Sequence, residues 1–274
     1  MRFTLDGPLL LVGAGKMGGA LLSRLLAHGL DPRTVVVQDP DPTGEAANLL
    51  AETGIDVLPV VDELSMPPTV ILLAVKPQVM EAVLPQVARV AGPDTLYLSI
   101  AAGRRIAGLE AKLPAGASVV RAMPNTPAAI GRGVTVAIAN GAVTPVQHAL
   151  AERLLSAGGH VMWVEDEDLL DPVTAVSGSG PAYVFLLTEC LAEAGRAAGL
   201  DAELAERLAR QTVIGSAALL EHSDLDAATL RKNVTSPGGT TAAALEILGG
   251  PDGLKKLLEA AVAAATKRGR ELAR

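Results

Sequence analysis

The chain has few aromatic residues: two Phe, two Tyr and one Trp among 274 positions. Its core must therefore be built from Leu, Val, Ile and Ala. There is one cysteine, Cys190, which excludes an internal disulfide and suits a reducing cytosol. Cys190 lies in an apolar helical run, which points to packing rather than nucleophilic chemistry. Positive charge is not in excess. The net charge of -7 argues against nucleic acid as a partner, since phosphate binding needs clustered Lys and Arg. No apolar run approaches the ~18 residues of a membrane span, and no long apolar stretch follows Met1-Arg2 as in a secretory leader. The expectation is a soluble, cytoplasmic protein with no membrane partner. Histidine is also scarce. His28, His148, His160 and His222 are scattered, with no His/Cys cluster at metal spacing, no His-Asp pair and no nucleophile elbow. No metal is expected.

What is present is apolar: 49% of residues, against 19% charged, enough for a sizeable core and two domains. Short continuous apolar runs at Leu9–Val12, Thr34–Gln38, Thr69–Ala74, Thr95–Ser99 and Ser118–Arg121 predict strands covered on both faces. Helical periodicity lies between them, at Met17–His28, Gly44–Thr53, Val79–Val90 and Ile106–Leu113. Two further strands, Val134–Ile138 and Val161–Val164, flank a helix over Pro145–Ala157. The alternation predicts an α/β fold with a doubly wound, mostly parallel sheet. Beyond Asp168 only helical periodicity continues, at Asp171–Val176, Pro181–Ala198, Ala202–His222, Ala227–Asn233, Thr240–Leu248 and Gly253–Leu272. The reading is a Rossmann-type dinucleotide-binding domain over 1–166 and an all-helical substrate-binding and dimerisation domain over 167–274. Ala182-Tyr183-Val184-Phe185-Leu186-Leu187 is apolar on every side of a helix, and a small helical domain has trouble burying it alone. A second copy of the chain is the expected cover.

Two motifs carry chemistry. Gly13-Ala14-Gly15-Lys16-Met17-Gly18 follows a predicted strand and opens a predicted helix, the context in which a Gly-x-Gly-x-x-Gly pattern signifies dinucleotide binding. Asp39 ends the second strand, where an acid accepts from the adenine ribose and repels a 2′-phosphate, so the reading leans to NADH over NADPH. The alternative is a plain acidic turn, Asp39-Pro40-Asp41-Pro42. Ala74-Val75-Lys76-Pro77 ends another strand on the ligand side of the sheet; Lys76 either meets the cofactor or sits in solvent. Ile100, Ala101 and Ala102 are small or compact enough to leave room for a nicotinamide. Asn125 is either a ligand to the carboxamide or substrate, or an ordinary turn residue. The second motif, Ser236-Pro237-Gly238-Gly239-Thr240-Thr241, precedes a helix whose first amides and positive dipole end suit a carboxylate. The alternative is a helix cap, Ser236-Pro237, beside a plain glycine loop, Gly238-Gly239.

These motifs, with Arg121-Ala122-Met123-Pro124-Asn125-Thr126-Pro127-Ala128 and Ser177-Gly178-Ser179-Gly180-Pro181-Ala182-Tyr183, resemble the pyrroline-5-carboxylate reductases in order and spacing. The resemblance extends from about residue 8 to about 265. It implies an NAD(P)-dependent oxidoreductase acting on a CH-NH group, which reduces 1-pyrroline-5-carboxylate to L-proline in the last step of proline biosynthesis. It implies a homodimer with interleaved helical domains, often assembled into a decamer, a pentamer of dimers. It also implies that the loop Ser236–Thr241 holds the substrate carboxylate, that Thr241 hydrogen-bonds the ring nitrogen, and that Glu167, Thr174 and Asn233 line or approach the site. NADPH-preferring members usually carry a small hydroxyl residue where this chain has Asp39. An imine suits a chain without an obvious base, because its nitrogen protonates near neutral pH and orientation can supply most of the rate. On this reading the amides of Gly239 and Thr240, with the Ser236 hydroxyl, bind the carboxylate, and Thr241 with water relays the proton. The rival readings are a β-hydroxyacid-type dehydrogenase with a helix-borne Lys acid–base, and a non-catalytic dinucleotide-binding protein.

Overall fold

Every residue of Leu9–Val12 is buried, and the segment forms a strand, β1, in the computed structural model, which describes residues 4–272. Side chains alternate across it. Leu9 and Leu11 enter one hydrophobic core and Leu10 and Val12 another, on the opposite face of the sheet. A strand covered on both sides has no need of polar alternation, which explains the continuous apolar run. The elements that follow are α1 (Lys16–Ala27), β2 (Val35–Gln38), α2 (Gly44–Thr53), β3 (Asp56–Leu58), β4 (Val70–Leu73), α3 (Pro77–Val90), β5 (Leu96–Ser99), α4 (Ile106–Glu110), β6 (Ser118–Met123), β7 (Gly133–Ala139), α5 (Pro145–Ser156) and β8 (Gly159–Trp163). The eight strands form one sheet in the order β3-β2-β1-β4-β5-β6-β7-β8, parallel except where β7 meets β6. Its first six strands follow the dinucleotide-binding order, with the topological switch between β1 and β4. Leu21, Leu22 and Leu25 of α1, with Leu154 of α5, cover one face. Met80, Leu84 and Val87 of α3 cover the other, and α3 continues through Pro85 to keep them there.

The structure departs from the sequence reading at Asp56–Leu58 and beyond Leu169. β3 is an edge strand of three mostly exposed residues beginning with Asp56. The predicted helix Asp171–Val176 resolves into a short α6 (Leu170–Val173) and a π-helical stretch, Thr174–Gly178. The Thr174 and Ser177 hydroxyls donate to the carbonyls of Leu170 and Val173, four residues back, at 2.7 and 2.9 Å. Such back-bonding loosens a regular helix.

The chain divides into two compact units. The sheet unit runs to Gly178 and takes in the residues from Thr266 onward; the helical unit is Ser179–Ala265. The latter holds α7 (Gly180–Ala197), α8 (Ala202–His222), α9 (Ala227–Asn233), α10 (Thr240–Leu248) and most of α11 (Leu254–Leu272). Asp201 and Asp226 cap α8 and α9, accepting from the amides of Leu204 and Thr229 at 3.0 and 2.7 Å. Among the described residues, the apolar side chains this unit buries are only Ala192, Ala205 and Ala209. Val184, Phe185, Leu186, Leu187 and Leu191 of α7 are exposed, as is Cys190, which the sequence had assigned to packing. No helix among the described residues is long and apolar enough to cross a membrane, and no group of His, Cys, Asp or Glu among them is arranged to hold a metal.

Candidate active site: a dinucleotide cradle and a hydroxyl-rich loop

The three fingerprint glycines are required for three different reasons. Gly13 has φ +93°, closed to other residues, and a Cβ there would press within 2.9 Å of the Val75 side chain. A Cβ on Gly18 would overlap the Gly13 carbonyl oxygen, so α1 can lie this close to the β1 turn only without one. Nothing lies within 4 Å of where a Cβ on Gly15 would project. That open space sits at the start of α1, whose N-cap makes no side-chain hydrogen bond and whose first turn has no acidic residue. An uncapped helix start, with Lys16 adding positive charge, fits a pyrophosphate. These residues therefore fit a dinucleotide. Ala14 is buried and Met17 half-buried, completing the turn.

Asp39 lies beside this turn. Its Oδ2 accepts from the Ala14 amide at 2.7 Å and its Oδ1 from the Asp41 amide at 3.0 Å. At the end of β4, the Ala74 amide donates to the Val12 carbonyl at 2.8 Å, fastening the second wall to the first. Lys76 is exposed at the N-cap of α3. The Pro77 carbonyl accepts two bonds from the Arg104 guanidinium, at 2.8 and 3.2 Å, holding the segment after β5 against α3. Ile100 and Ala101 are buried in that segment and Ala102 is exposed.

Three other sequence candidates in the sheet unit have internal partners. Asn125 is buried; its Oδ1 accepts from the Val134 amide and its Nδ2 donates to the Ser177 carbonyl, at 2.9 and 3.1 Å. Glu167 accepts at Oε1 from Arg121 at 2.7 Å and from the Ile106 amide at 2.8 Å, while its Oε2 lies 3.4 Å from Arg105. It thus caps α4 and neutralises a buried arginine. Thr174 donates to the Leu170 carbonyl. Sequence reasoning missed the Arg105–Glu167–Arg121 cluster, although an arginine at the end of the apolar run Ser118–Arg121 signals a buried carboxylate partner.

In the helical unit, Ser236–Thr241 forms the turn that starts α10. Gly238 has φ +69°, and the Gly239 amide donates to the Ser236 carbonyl at 3.0 Å. That amide is therefore spent within the turn, which leaves Thr240, Thr241 and Ala242 as the helix-start donors without intrahelical acceptors. No side chain caps them. Ser236 and Thr240 are exposed and Thr241 half-buried; Asn233 is exposed at the end of α9. Beside the loop, Thr229, Arg231, Lys232 and Thr235 line a cavity of about 400 Å³, and its two cations favour an anion nearby.

Comparison with known proteins agrees with this anatomy. Residues 9–103 match the family model of NADP oxidoreductase, coenzyme F420-dependent, and residues 167–272 match that of pyrroline-5-carboxylate reductase dimerisation. The pyrroline-5-carboxylate reductase of Pseudomonas aeruginosa is 42% identical over 262 residues, covering 96% of this chain and 95% of the relative. The chain belongs to the pyrroline-5-carboxylate reductase family. The Synechocystis member is also 42% identical, over 96% of this chain and 97% of its own. Among solved structures, the Coxiella burnetii pyrroline-5-carboxylate reductase superposes with a TM-score of 0.90 at 34% identity, covering 98% of this chain and all of its own. The Plasmodium falciparum pyrroline carboxylate reductase, solved with NADP bound, gives 0.84 at 29% identity, covering 98% of this chain and 99% of its own.

Proposed function

We propose that this chain reduces 1-pyrroline-5-carboxylate to L-proline, the last step of proline biosynthesis, with NAD(P)H as hydride donor. The observation that carries this reading is 42% identity over 96% of this chain to a reductase of that name, together with a chain that keeps both the open glycine cradle and the hydroxyl-rich loop. The hydride adds to the C=N carbon and a proton to the ring nitrogen, so the cofactor leaves oxidised and the imine becomes a secondary amine.

In this mechanism the amides of Thr240 and Thr241 and the Ser236 hydroxyl hold the substrate carboxylate, and Gly239 shapes the turn that aims them. The Thr241 hydroxyl hydrogen-bonds the ring nitrogen and passes the proton from water. The cofactor's residues are Gly13–Gly18, Asp39, Ala74–Pro77 and Ile100–Ala102, and Asn233 is assigned to the cofactor as well. Glu167 and Thr174 act by positioning the segment that leads into α7. The working division is a dinucleotide-binding part over 1–166 and a substrate-binding, dimerising part over 167–274. The oligomer is a homodimer in the cytoplasm, covering the exposed apolar face of α7, and it extends to a pentamer of dimers.

Thr241→Ala tests the assignment. Turnover should fall roughly tenfold to a hundredfold, as for loss of a proton relay, with dinucleotide affinity unchanged. Ser236→Ala should raise KM more than it lowers kcat. Unaltered kinetics in both folded variants would remove the loop from the mechanism.

A further inference from the structure

Asn125 stands just beyond β6 and is 8% exposed. Its Oδ1 accepts from the Val134 amide near the start of β7, at 2.9 Å, and its Nδ2 donates to the Ser177 carbonyl, at 3.1 Å. A backbone amide only donates and a carbonyl only accepts, so one orientation of the side chain satisfies both. Asn125 is thereby committed to the protein at both ends. The sequence left it open between a ligand and an ordinary turn residue, and its two partners point to a third role.

Ser177 belongs to the π-helical turn Thr174–Gly178. Such turns are rare and occur mostly as single bulges at functional sites. The turn holds one residue more than an α-helical one. Reversion to α would rotate its end by about 100°, the step of one residue at 3.6 per turn. Its front is anchored by burial, with Leu170 0% and Ala175 1% exposed. Its end rests on the residues that leave β6. Asn125 holds the Ser177 carbonyl, and a Cβ on Gly178 would lie 3.0 Å from the Met123 methyl. β6 runs parallel to β5 with Arg121 opposite Ser99, so Met123–Asn125 leave the sheet on the same rim as Ile100–Ala102. Asn125 therefore ties the π-helical turn to the rim where the nicotinamide end of the cofactor is assigned.

We propose that Asn125 is a positioning residue for the imine reduction. It holds the π-helical turn, with Thr174 in it, against the rim beside Ile100–Ala102, and acts through that turn rather than by touching either reactant. The proposal rests on the reaction assigned above. Asn125→Asp tests it, because the new side chain has the same shape and keeps an acceptor for Val134 but turns an oxygen toward the Ser177 carbonyl. The measurements are steady-state kinetics of the full-length protein with pyrroline-5-carboxylate and a fluorescence titration with NADH or NADPH, whichever the parent binds more tightly. The kcat should fall roughly tenfold to a hundredfold, the scale of a misplacement of about 1 Å. KM for the imine should stay within about threefold and nucleotide affinity within about twofold, with unchanged circular dichroism. If Asn125→Asp does not fold, Gly178→Ala displaces the same turn from the Met123 side with Asn125 intact, and should give the same kinetic pattern. Parental kcat in either folded variant overturns the proposal. So does nucleotide affinity lost in step with kcat, which would make Asn125 a cofactor ligand, and so does a kcat deficit equal to the unfolded fraction. A parent that binds nucleotide without turning over pyrroline-5-carboxylate sinks the reaction assignment, and the proposal with it.

Discussion

The Arg121 guanidinium lies 2.7 Å from Glu167 Oε1, with the two side chains only 5% and 15% exposed. The pair joins β6 to the turn that leaves the sheet, and the same oxygen caps α4. Removing one partner of a buried pair leaves the other charge without compensation. Glu167→Ala should therefore lower unfolding free energy by about 3–5 kcal/mol. Glu167→Gln keeps a hydrogen-bond acceptor and should lose less. The double variant Arg121→Met, Glu167→Leu should recover part of the loss, because apolar replacement of a whole pair is often neutral. Urea unfolding of the parent and the three variants ranks these losses. A Glu167→Ala protein as stable as the parent but impaired in KM would mean that Glu167 serves substrate rather than structure.

Gly15 and Gly18 are three residues apart and should respond differently to alanine. At Gly18 the new Cβ meets the Gly13 carbonyl oxygen and the Ala74 methyl, so α1 must shift. Overpacking of this kind costs about 1–3 kcal/mol. At Gly15 the Cβ enters open space, so Gly15→Ala should melt near the parent temperature yet bind NADH at least about tenfold more weakly by obstructing the pyrophosphate. A thermal melt and a nucleotide titration on each variant check this. Loss of stability at Gly15 with intact binding would reverse the assignment of the two glycines.

Which of these features the sequence revealed depends on the range of the interactions behind them. β1, β4 and β5 are legible because burial on both faces leaves unbroken apolar runs. β3 is not, because an edge strand starting at the exposed Asp56 is set by pairing with β2 rather than by its own side chains. Helices with a local start signal, such as α8 behind Asp201, were readable to the residue. The π-helical stretch was not, since it depends on how Thr174 and Ser177 spend their hydroxyls. In the site, the glycine spacing announces a cradle. That Glu167 is matched to an arginine 46 positions away, and Asp39 to an amide 25 positions away, is information held only by the fold.

Tyr97 gives a pH-dependent prediction. Its side chain is 2% exposed in the middle of β5, and its hydroxyl finds no hydrogen-bond partner among the described residues. Burial pushes the phenol up to about 12, because the phenolate would be desolvated. Between pH 10 and about 12 the unfolded chain gives up this proton while the folded chain keeps it. The stability contribution is thus complete below pH 10 and lost as pH rises through that window, amounting to roughly 2–3 kcal/mol. Tyr97→Phe should abolish this part of the alkaline decline. It should also be about 1 kcal/mol more stable at pH 7, since an unpaired buried hydroxyl is removed. Urea midpoints at pH 7, 10 and 11 test both expectations. A Phe variant less stable than the parent at pH 7 would show the hydroxyl to be paired, and an alkaline decline as steep as the parent's would remove Tyr97 from it.

The helical unit makes the sharpest demand on assembly. Phe185 is 68% exposed at the centre of the apolar run of α7, and only three small alanines in the unit are buried. An apolar face of this kind, too large for a monomer to leave in water, marks an interface. A charge at its centre should be incompatible with pairing. Phe185→Lys is expected to weaken self-association by about thirtyfold or more, the scale of an interface hot spot. Sedimentation velocity over a dilution series should show the parent holding its mass and the variant dissociating. The melting temperature of the variant should also become dependent on protein concentration, because the helices would bury their apolar surface only in the assembled form. A Phe185→Lys protein of unchanged mass at every dilution would place the interface on another face of the helical unit.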